Sequence, residues 1–260
     1  QSNTVQVYDQ KTYKLLRTVK VAREPQHVVP SYDLKTLYAN SDLGNSLMPF
    51  DAKTGKPGKR IPLLDPYNLY FTPNGKYAVV MQERMEQIAF ADPHTFKIKK
   101  TLKTKCAGVN HADWTADGNI FIASCEFSGT IIAVDTAKMK IINEQFIPDT
   151  YAKHSASSHA GLPNLGPQPQ DVKLSPDGKT FYIADMMSDG IWAMPAPWGK
   201  LTYIKPGFGA HGLYVTRDAQ KLIITNRDDG SISRTGGGVQ CIRTAGSARR
   251  IASRSAQFHR

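Results

Sequence analysis

One short pattern, a strand-like run, a tight Asx-containing turn and a second strand-like run, recurs five times in this chain. Residues 168 to 185, "QPQDVKLSPDGKTFYIAD", carry one copy, and "EPQHVVPSYDLKTLYAN", "DPYNLYFTPNGKYAVVM", "GVNHADWTADGNIFIAS" and "GAHGLYVTRDAQKLIIT" carry the others. The turns fall at Asp33-Leu34, Asn74-Gly75, Asp117-Gly118, Asp177-Gly178 and Asp218-Ala219, so the units are spaced by 41, 43, 60 and 41 residues. Asx-Gly between two apolar runs supplies the positive φ angles of a tight hairpin turn. Each unit goes on to a third strand-like run, such as "GTIIAVDTAKM", and a fourth, such as "KIINEQFI".

Four antiparallel strands per period of about forty residues is the arithmetic of a β-propeller blade. An open meander of this length would leave long edges unpaired, which radial arrangement removes. The expected fold class is therefore all-β, a β-propeller of four-stranded antiparallel blades. The chain is expected to enter in the last two strands of one blade (residues 3 to 21). Four whole blades follow (about 22 to 63, 64 to 104, 105 to 149 and 168 to 207), and a further one begins at 208. If the two ends share a blade, five are present.

Composition narrows the function classes. No run of eighteen apolar residues occurs, so no membrane-spanning helix is expected. The first residues, "QSNTVQVYDQ", have no basic or apolar leader segment, which fits a cytoplasmic chain or one whose leader has been removed. The formal charge is +11, but the last thirty residues hold six Arg and no acid. Without those six the balance is +5. Aromatics are not interleaved with the basic residues as a nucleic-acid stacking platform requires, so no nucleic-acid partner is expected.

The units "PQHVVPSYDLKTLYAN" and "PQDVKLSPDGKTFYIAD" resemble the YVTN family of β-propeller repeats, YncE-like proteins among them, over residues 3 to about 232. In blade sequence that family is similar to the cytochrome d1 domain of nitrite reductases. The resemblance implies a secreted or periplasmic bacterial propeller, usually of seven blades, and hence a truncated propeller here. The tail departs from the family. After "NRDDGSIS" the chain reads "RTGGGVQCIRTAGSARRIASRSAQFHR", with no apolar alternation, no Asp-Gly turn and Arg in place of Lys. Residues 1–233 are expected to be the propeller and 234–260 an aberrant segment, such as an out-of-frame translation, or a disordered basic tail.

Candidate site residues lie in two adjacent columns at the start of each first strand. One holds His27, Asn68, His111, Asp171 and Gly212, and the preceding one Gln26, Tyr67, Asn110, Gln170 and His211. A polar ring at the mouth of a central channel is a plausible ligand or metal site. The same residues could equally satisfy loop backbone and stitch one blade to the next. An insertion, "TYAKHSASSHAGLPNLGP", adds His154 and His159 on the same side, while His94 falls in an outer turn and reads as structural. Cys106 and Cys125 share a blade, with Cys125 expected opposite about Asn110. A disulfide and two free thiols are both open, and a disulfide would fit an oxidising compartment.

No nucleophile elbow, phosphate loop, HExxH or haem-attaching C-x-x-C-H is present. The expected function is a non-catalytic secreted or periplasmic scaffold binding a small molecule or protein partner at the channel mouth, with no cofactor assigned. Two alternatives stay open. One is a haem- or metal-binding redox accessory. The other is a cation-dependent lactonase using Asn68, Asn110 and Asp171.

Overall fold

The first hairpin of every blade is closed by the same local chemistry. A hydroxyl donates to the Asx carboxyl or amide oxygen two residues on: Ser31 to Asp33 (2.7 Å), Thr72 to Asn74 (2.8 Å), Thr115 to Asp117 (2.6 Å), Ser175 to Asp177 (2.6 Å) and Thr216 to Asp218. That oxygen also accepts the backbone N–H two residues beyond, from Lys35, Lys76, Asn119, Lys179 and Gln220. The residue between them takes positive φ. Gly75, Gly118 and Gly178 do so freely at 68° to 71°, and Leu34 (60°) and Ala219 (58°) do so at a steric cost of about 1–2 kcal/mol each. Asp9, Asp51 and Asp92 close the outer hairpins by binding the hydroxyl of Thr12, Thr54 and Thr95.

These turns organise twenty-two strands in a computed structural model that describes residues 2–150, 165–216, 218–228, 230–236 and 242–244. Strands β1 (Thr4–Tyr8) and β2 (Leu15–Lys20) pair only with each other. Five blades follow, each with its strands in sequence order from inside to outside. The first comprises β3 (Pro25–Pro30), β4 (Thr36–Ser41), β5 (Ser46–Asp51) and β6 (Ile61–Pro62). The second comprises β7 (Asn68–Phe71), β8 (Ala78–Gln82), β9 (Gln87–Ala91) and β10 (Ile98–Lys103). The third is β11 (Val109–Trp114), β12 (Ile120–Cys125), β13 (Thr130–Asp135) and β14 (Lys140–Phe146). The fourth is β15 (Pro169–Leu174), β16 (Thr180–Asp185), β17 (Gly190–Pro195) and β18 (Thr202–Ile204). The fifth is β19 (Ala210–Val215), β20 (Lys221–Asn226), β21 (Ser231–Gly236) and β22 (Ile242–Thr244).

All pairing is antiparallel, and β3, β7, β11, β15 and β19 succeed one another around the centre. The fold is an all-β propeller of five four-stranded blades in a ring, without helix among the described residues.

Two details differ from the sequence expectation. The ends do not share a blade: the fifth is completed by its own β21 and β22, and β1–β2 stays a separate pair. The boundary expected at 233/234 falls inside β21, and residues 242–244 add an outer strand. The rest of 234–260 lies outside the described residues, as do His154, His159 and Cys241.

The core is divided among the interfaces between blades. Blades one and two enclose Tyr38, Leu47, Leu69 and Val80, while blades two and three enclose Met81, Phe90, Trp114 and Phe121. Ile122, Ile131, Phe181 and Trp192 fill the next interface, and Ile191, Leu213 and Ile224 the last. Each fully buried large side chain contributes about 1.5–3 kcal/mol. Because each blade is buried by its neighbours, the polar ends of the inner strands are held in fixed relation to one another.

Candidate functional site at the channel mouth

Four of the five inner strands, all but β7, share an irregularity that the repeat alone does not reveal. Register slips between Pro25 and Val28, Val109 and Ala112, Pro169 and Val172, and Ala210 and Leu213. Two residues on the inner strand then oppose one on its neighbour, a β-bulge, which twists the strand and re-aims its side chains. The bulged pairs are Gln26-His27, Asn110-His111, Gln170-Asp171 and His211-Gly212, so the two predicted columns coincide with the bulge. In the third blade Ser124 stitches it: its hydroxyl donates to Asn110 Oδ1 (2.7 Å) and accepts from the His111 N–H (3.3 Å). Thr225 accepts from the Gly212 N–H (2.9 Å) in the fifth. The bulge also corrects the cysteine register, since Cys125 pairs with Val109 rather than Asn110. Cys106 and Cys125 are joined as a disulfide with Cα atoms 5.4 Å apart.

The column of His27, Asn68, His111 and Asp171 runs from blade to blade. Asn68 Nδ2 lies 2.9 Å from Tyr70 Oη and 3.3 Å from His111 Nδ1, and His111 Nδ1 lies 3.7 Å from Asp171 Oδ1. Asp171 Oδ1 accepts from Lys173 Nζ (2.8 Å) and the Val172 N–H (2.9 Å), and Oδ2 accepts from the Leu213 N–H (3.0 Å). The same stitching recurs two residues on. Tyr70 Oη accepts from the Ala112 N–H (3.1 Å), and Asp113 Oδ2 from the Leu174 N–H (2.7 Å).

The His27 and His111 rings meet edge to face at 5.0 Å, with Tyr67 5.3 Å from His27. Burial lowers His27 to about 4 and His111 to about 3 against the pull of Asp171, so both are neutral at neutral pH. Burial and then Arg227 lower His211. Asp171 moves the other way: burial works to raise it, but Lys173 and His111 together hold it below the usual range.

This arrangement does not fit a metal site built from several side chains. The two touching imidazoles pack on one another rather than around a common point. Among the described residues no three His, Cys, Asp or Glu are placed to hold one ion. The oxygens of Asn68, Asn110 and Asp171 already accept hydrogen bonds from the Leu69, His111, Val172 and Leu213 N–H groups.

The preceding column reaches toward a second ring that the sequence reading missed. Gln26 is exposed. Asn110, fully buried, donates Nδ2 to Glu126 Oε2 (2.9 Å), and Gln170, 1% exposed, also lies against Glu126. The missed residues are Asp42, Glu83, Glu126, Met186 and Arg227, each the first after the second strand of its blade. They repeat at the same 41, 43, 60 and 41 spacing, fifteen residues after the His27 column, so a column alignment of the second strands would have found them.

Burial, reinforced by Glu126, Asp42 and Asp65, raises Glu83 to about 8. Burial also raises Asp42, Tyr67 and Glu126, the last opposed by Gln170 and Arg227. Just before this ring, the last residue of the second strand secures the linker from the previous blade in four of the five blades. Ser41 Oγ donates to Ala22 O (3.3 Å), Gln82 Nε2 to Leu64 O (2.5 Å), Cys125 forms the disulfide, and Asp185 Oδ1 accepts from the Gln168 N–H (2.9 Å).

Comparison with known proteins places this geometry in context. Hydrazine synthase of Kuenenia stuttgartiensis superimposes with a TM-score of 0.72 at 16% identity, covering 90% of this chain and 70% of that one. A proposed 6-phosphogluconolactonase of Bacteroides fragilis gives 0.68 at 18% identity, covering 92% of this chain and 75% of the other. Its counterpart from Bacteroides uniformis gives 0.68 at 18% identity, covering 94% and 78%. At such identities the likeness is one of fold. No curated protein matches the chain. The profile of one family spans residues 1–249, bulged inner strands and both polar rings included, and this chain belongs to that family, the YNCE-like β-propellers.

Proposed function

We propose that this propeller is a non-catalytic scaffold that takes a small ligand or a protein partner at the channel mouth. The observation that carries the reading is a buried ring nitrogen in the mouth column that is closed off from water without a hydrogen-bond partner, His27 Nε2. It lies at the mouth end of the first blade's inner strand, against the Tyr67 and His111 rings. Leaving such a group unsatisfied costs about 1–3 kcal/mol, a cost that a ligand supplying the missing partners would remove. Around it Asn110, Asp171 and Tyr70 are held by hydrogen bonds with Ser124, the Leu213 N–H and the Ala112 N–H, which fixes the ring of side chains. The disulfide supports placing the protein in a secreted or periplasmic, oxidising compartment.

A thermal-shift screen of small polar compounds on the full chain tests the binding reading. Compounds that raise the melting temperature of the native protein should lose that effect in Gln170→Leu. If nothing in a broad screen binds, or if binding survives both Gln170→Leu and His27→Ala, the mouth is not the site. Thiol titration of protein purified without reductant tests the compartment: free Cys106 and Cys125 would remove its support.

A further inference from the structure

The first two strands leave a backbone edge unused. We infer that the free edge of β1, with the uncovered inner hairpin of the first blade beside it, is a second binding site. Its ligand is an extended, uncharged peptide strand of a partner protein.

The place of β1 in the fold follows from its turn. Asp9 accepts from the Thr12 hydroxyl as Asp51 and Asp92 accept from Thr54 and Thr95, so β1 and β2 correspond to the third and fourth strands of a blade. In the five blades every third strand lies between a second and a fourth, whereas β1 pairs only with β2. Asn3 O accepts from the Val21 N–H and the Asp9 N–H donates to Lys14 O, both toward β2. By the alternation of an antiparallel ladder, the backbone groups of Thr4, Gln6 and Tyr8 face the free edge.

A row of open N–H and C=O groups templates pairing with another strand unless charge, Pro or shortness blunts it. The outer edges of this molecule are blunted. Strand β2 carries Arg17 and Lys20, β10 carries Lys99, Lys100 and Lys103, and β14 carries Lys140 and Glu144. Strand β6 is two residues long with Pro62, and β18 and β22 are three residues each. Strand β1 reads Thr-Val-Gln-Val-Tyr, with neither charge nor Pro. The extra residue that shifts the register of its pair, Leu16, lies in β2.

Exposure marks the space beside this edge. Each later blade buries one face of its inner hairpin against the blade before it. On that face of the first blade Val28 is exposed, where its equivalents Leu69, Val172 and Leu213 are buried. Leu37 is half-buried, whereas Phe121, Phe181 and Leu222 are buried. Farther out Arg17 Nη1 donates to Gly55 O (2.8 Å), and Phe50 is buried. What stands open is the width of the first two strands of a blade.

The occupant follows from what fills the same position elsewhere. In the second blade β8 pairs with β9 and turns Val79 and Met81 into one apolar cluster with Ala112 and Phe121 of the third. Ala112 and Phe121 are the equivalents of Val28 and Leu37. A strand added to β1 likewise runs antiparallel and bonds to Thr4, Gln6 and Tyr8, the mode of β-strand addition. Its alternate side chains lie on Val28 and Leu37, where a charge would be desolvated. A second copy does not suit the position. Second strands lie on the inner side of third strands, so this edge faces the inside of the ring, where a slender strand fits and a folded propeller does not.

The probe is a synthetic peptide of the chain's own second strand from the second blade, residues 77–82, YAVVMQ, with terminal lysines for solubility and a scrambled control. Amide hydrogen exchange of the full chain reads the binding. The Thr4 and Gln6 amides should exchange freely in the chain alone and about tenfold more slowly at a peptide concentration about ten times the Kd. Gln6→Pro removes the N–H at the free edge and leaves the ladder to β2 intact, and Val28→Lys places a charge on the apolar face. Each should weaken the peptide about tenfold. Protection of Thr4 and Gln6 in the chain alone would overturn the proposal, because the chain itself or a second copy would already hold the edge, and sedimentation would tell these apart. Equal binding of the scrambled peptide, unchanged affinity in both variants, or protection confined to other strands would also overturn it. If Gln6→Pro does not fold, Val28→Lys and the exchange pattern still decide the matter.

Discussion

The first and third blades are built from the same repeat, 84 residues apart, yet equivalent positions have opposite fates. Asn110 is fully buried and hydrogen-bonded, whereas Gln26 is exposed. Ala112 is 2% exposed, and its counterpart Val28 is 52% exposed although it is the larger hydrophobe. Where the third blade ties its linker with the Cys106–Cys125 disulfide, the equivalent side chain of the first, Ser41, donates a hydrogen bond to Ala22 O. The third blade is packed on both faces, with Phe121 and Ile132 toward the second and Ile122 and Ile131 toward the fourth. The first packs its inner strand on the second blade through Val29, and on its other side Arg17 of β2 donates to Gly55 O. Burial in a propeller is conferred by neighbours, so the same column is structural in one blade and solvated in another.

The sharpest test of this contrast is in the cores. Phe121→Ala should cost about 3–5 kcal/mol in urea unfolding, as removal of a fully buried ring does. Leu37, its half-buried equivalent in the first blade, should cost about 1–2 kcal/mol when cut to Ala. Equal losses would show that the first blade is as enclosed as the third. Next in size is the disulfide, which links residues 19 apart and should stabilise by about 3 kcal/mol, lost in Cys106→Ala/Cys125→Ser. Ser41→Ala, at the same place in the first blade, should cost about 0.5–1.5 kcal/mol. A disulfide worth no more than that hydrogen bond would erase the distinction.

The mouth carboxyls give a contrast in pH. Glu83 is raised from 4.5 to about 8, so between those values the native chain holds a proton that the unfolded chain has lost. Stability from this group is therefore fully present below about pH 4.5 and declines as pH rises through 8, by at most about 1.4 kcal/mol per pH unit. Melting curves of Glu83→Gln should lack that decline. Asp42→Asn in the first blade should flatten the profile less, because the Leu43 N–H and Arg84 oppose the rise that burial causes there. A Glu83→Gln profile parallel to the parent's would mean that Glu83 ionises normally.

The smallest expected effects lie in the turns. Leu34 and Gly118 occupy the same left-handed position, at φ 60° and 71°. Leu34→Gly should stabilise and Gly118→Ala destabilise, each by about 1 kcal/mol in unfolding experiments. For Gly118 the new methyl would also press on the Pro73 ring at 3.1 Å. A destabilising Leu34→Gly would mean that the leucine side chain, 70% exposed, contributes packing that its exposure does not suggest.

The amino-acid pattern by itself determined the blades, because turn chemistry is local. An Asx side chain bridging a hydroxyl and an N–H two residues away needs nothing outside its own hairpin, so Asp117-Gly118 and its equivalents could be read directly. The polar columns were legible for the same reason, as residues at a fixed distance from those turns. What they do was not. Asp171 is a stitch because Leu213, 42 residues later, brings its N–H within 3.0 Å, and His27 meets His111 across 84 residues of chain. The acidic mouth ring stayed unread because its members are set by the ends of the second strands, and the extra bulge residue shifts what they face. Whether the ends of the chain share a blade was likewise decided by which strands pair, β22 with β21 rather than β1 with β20. Local hydrogen bonds are encoded in neighbouring residues, whereas burial, ionisation and register depend on groups that only folding brings together.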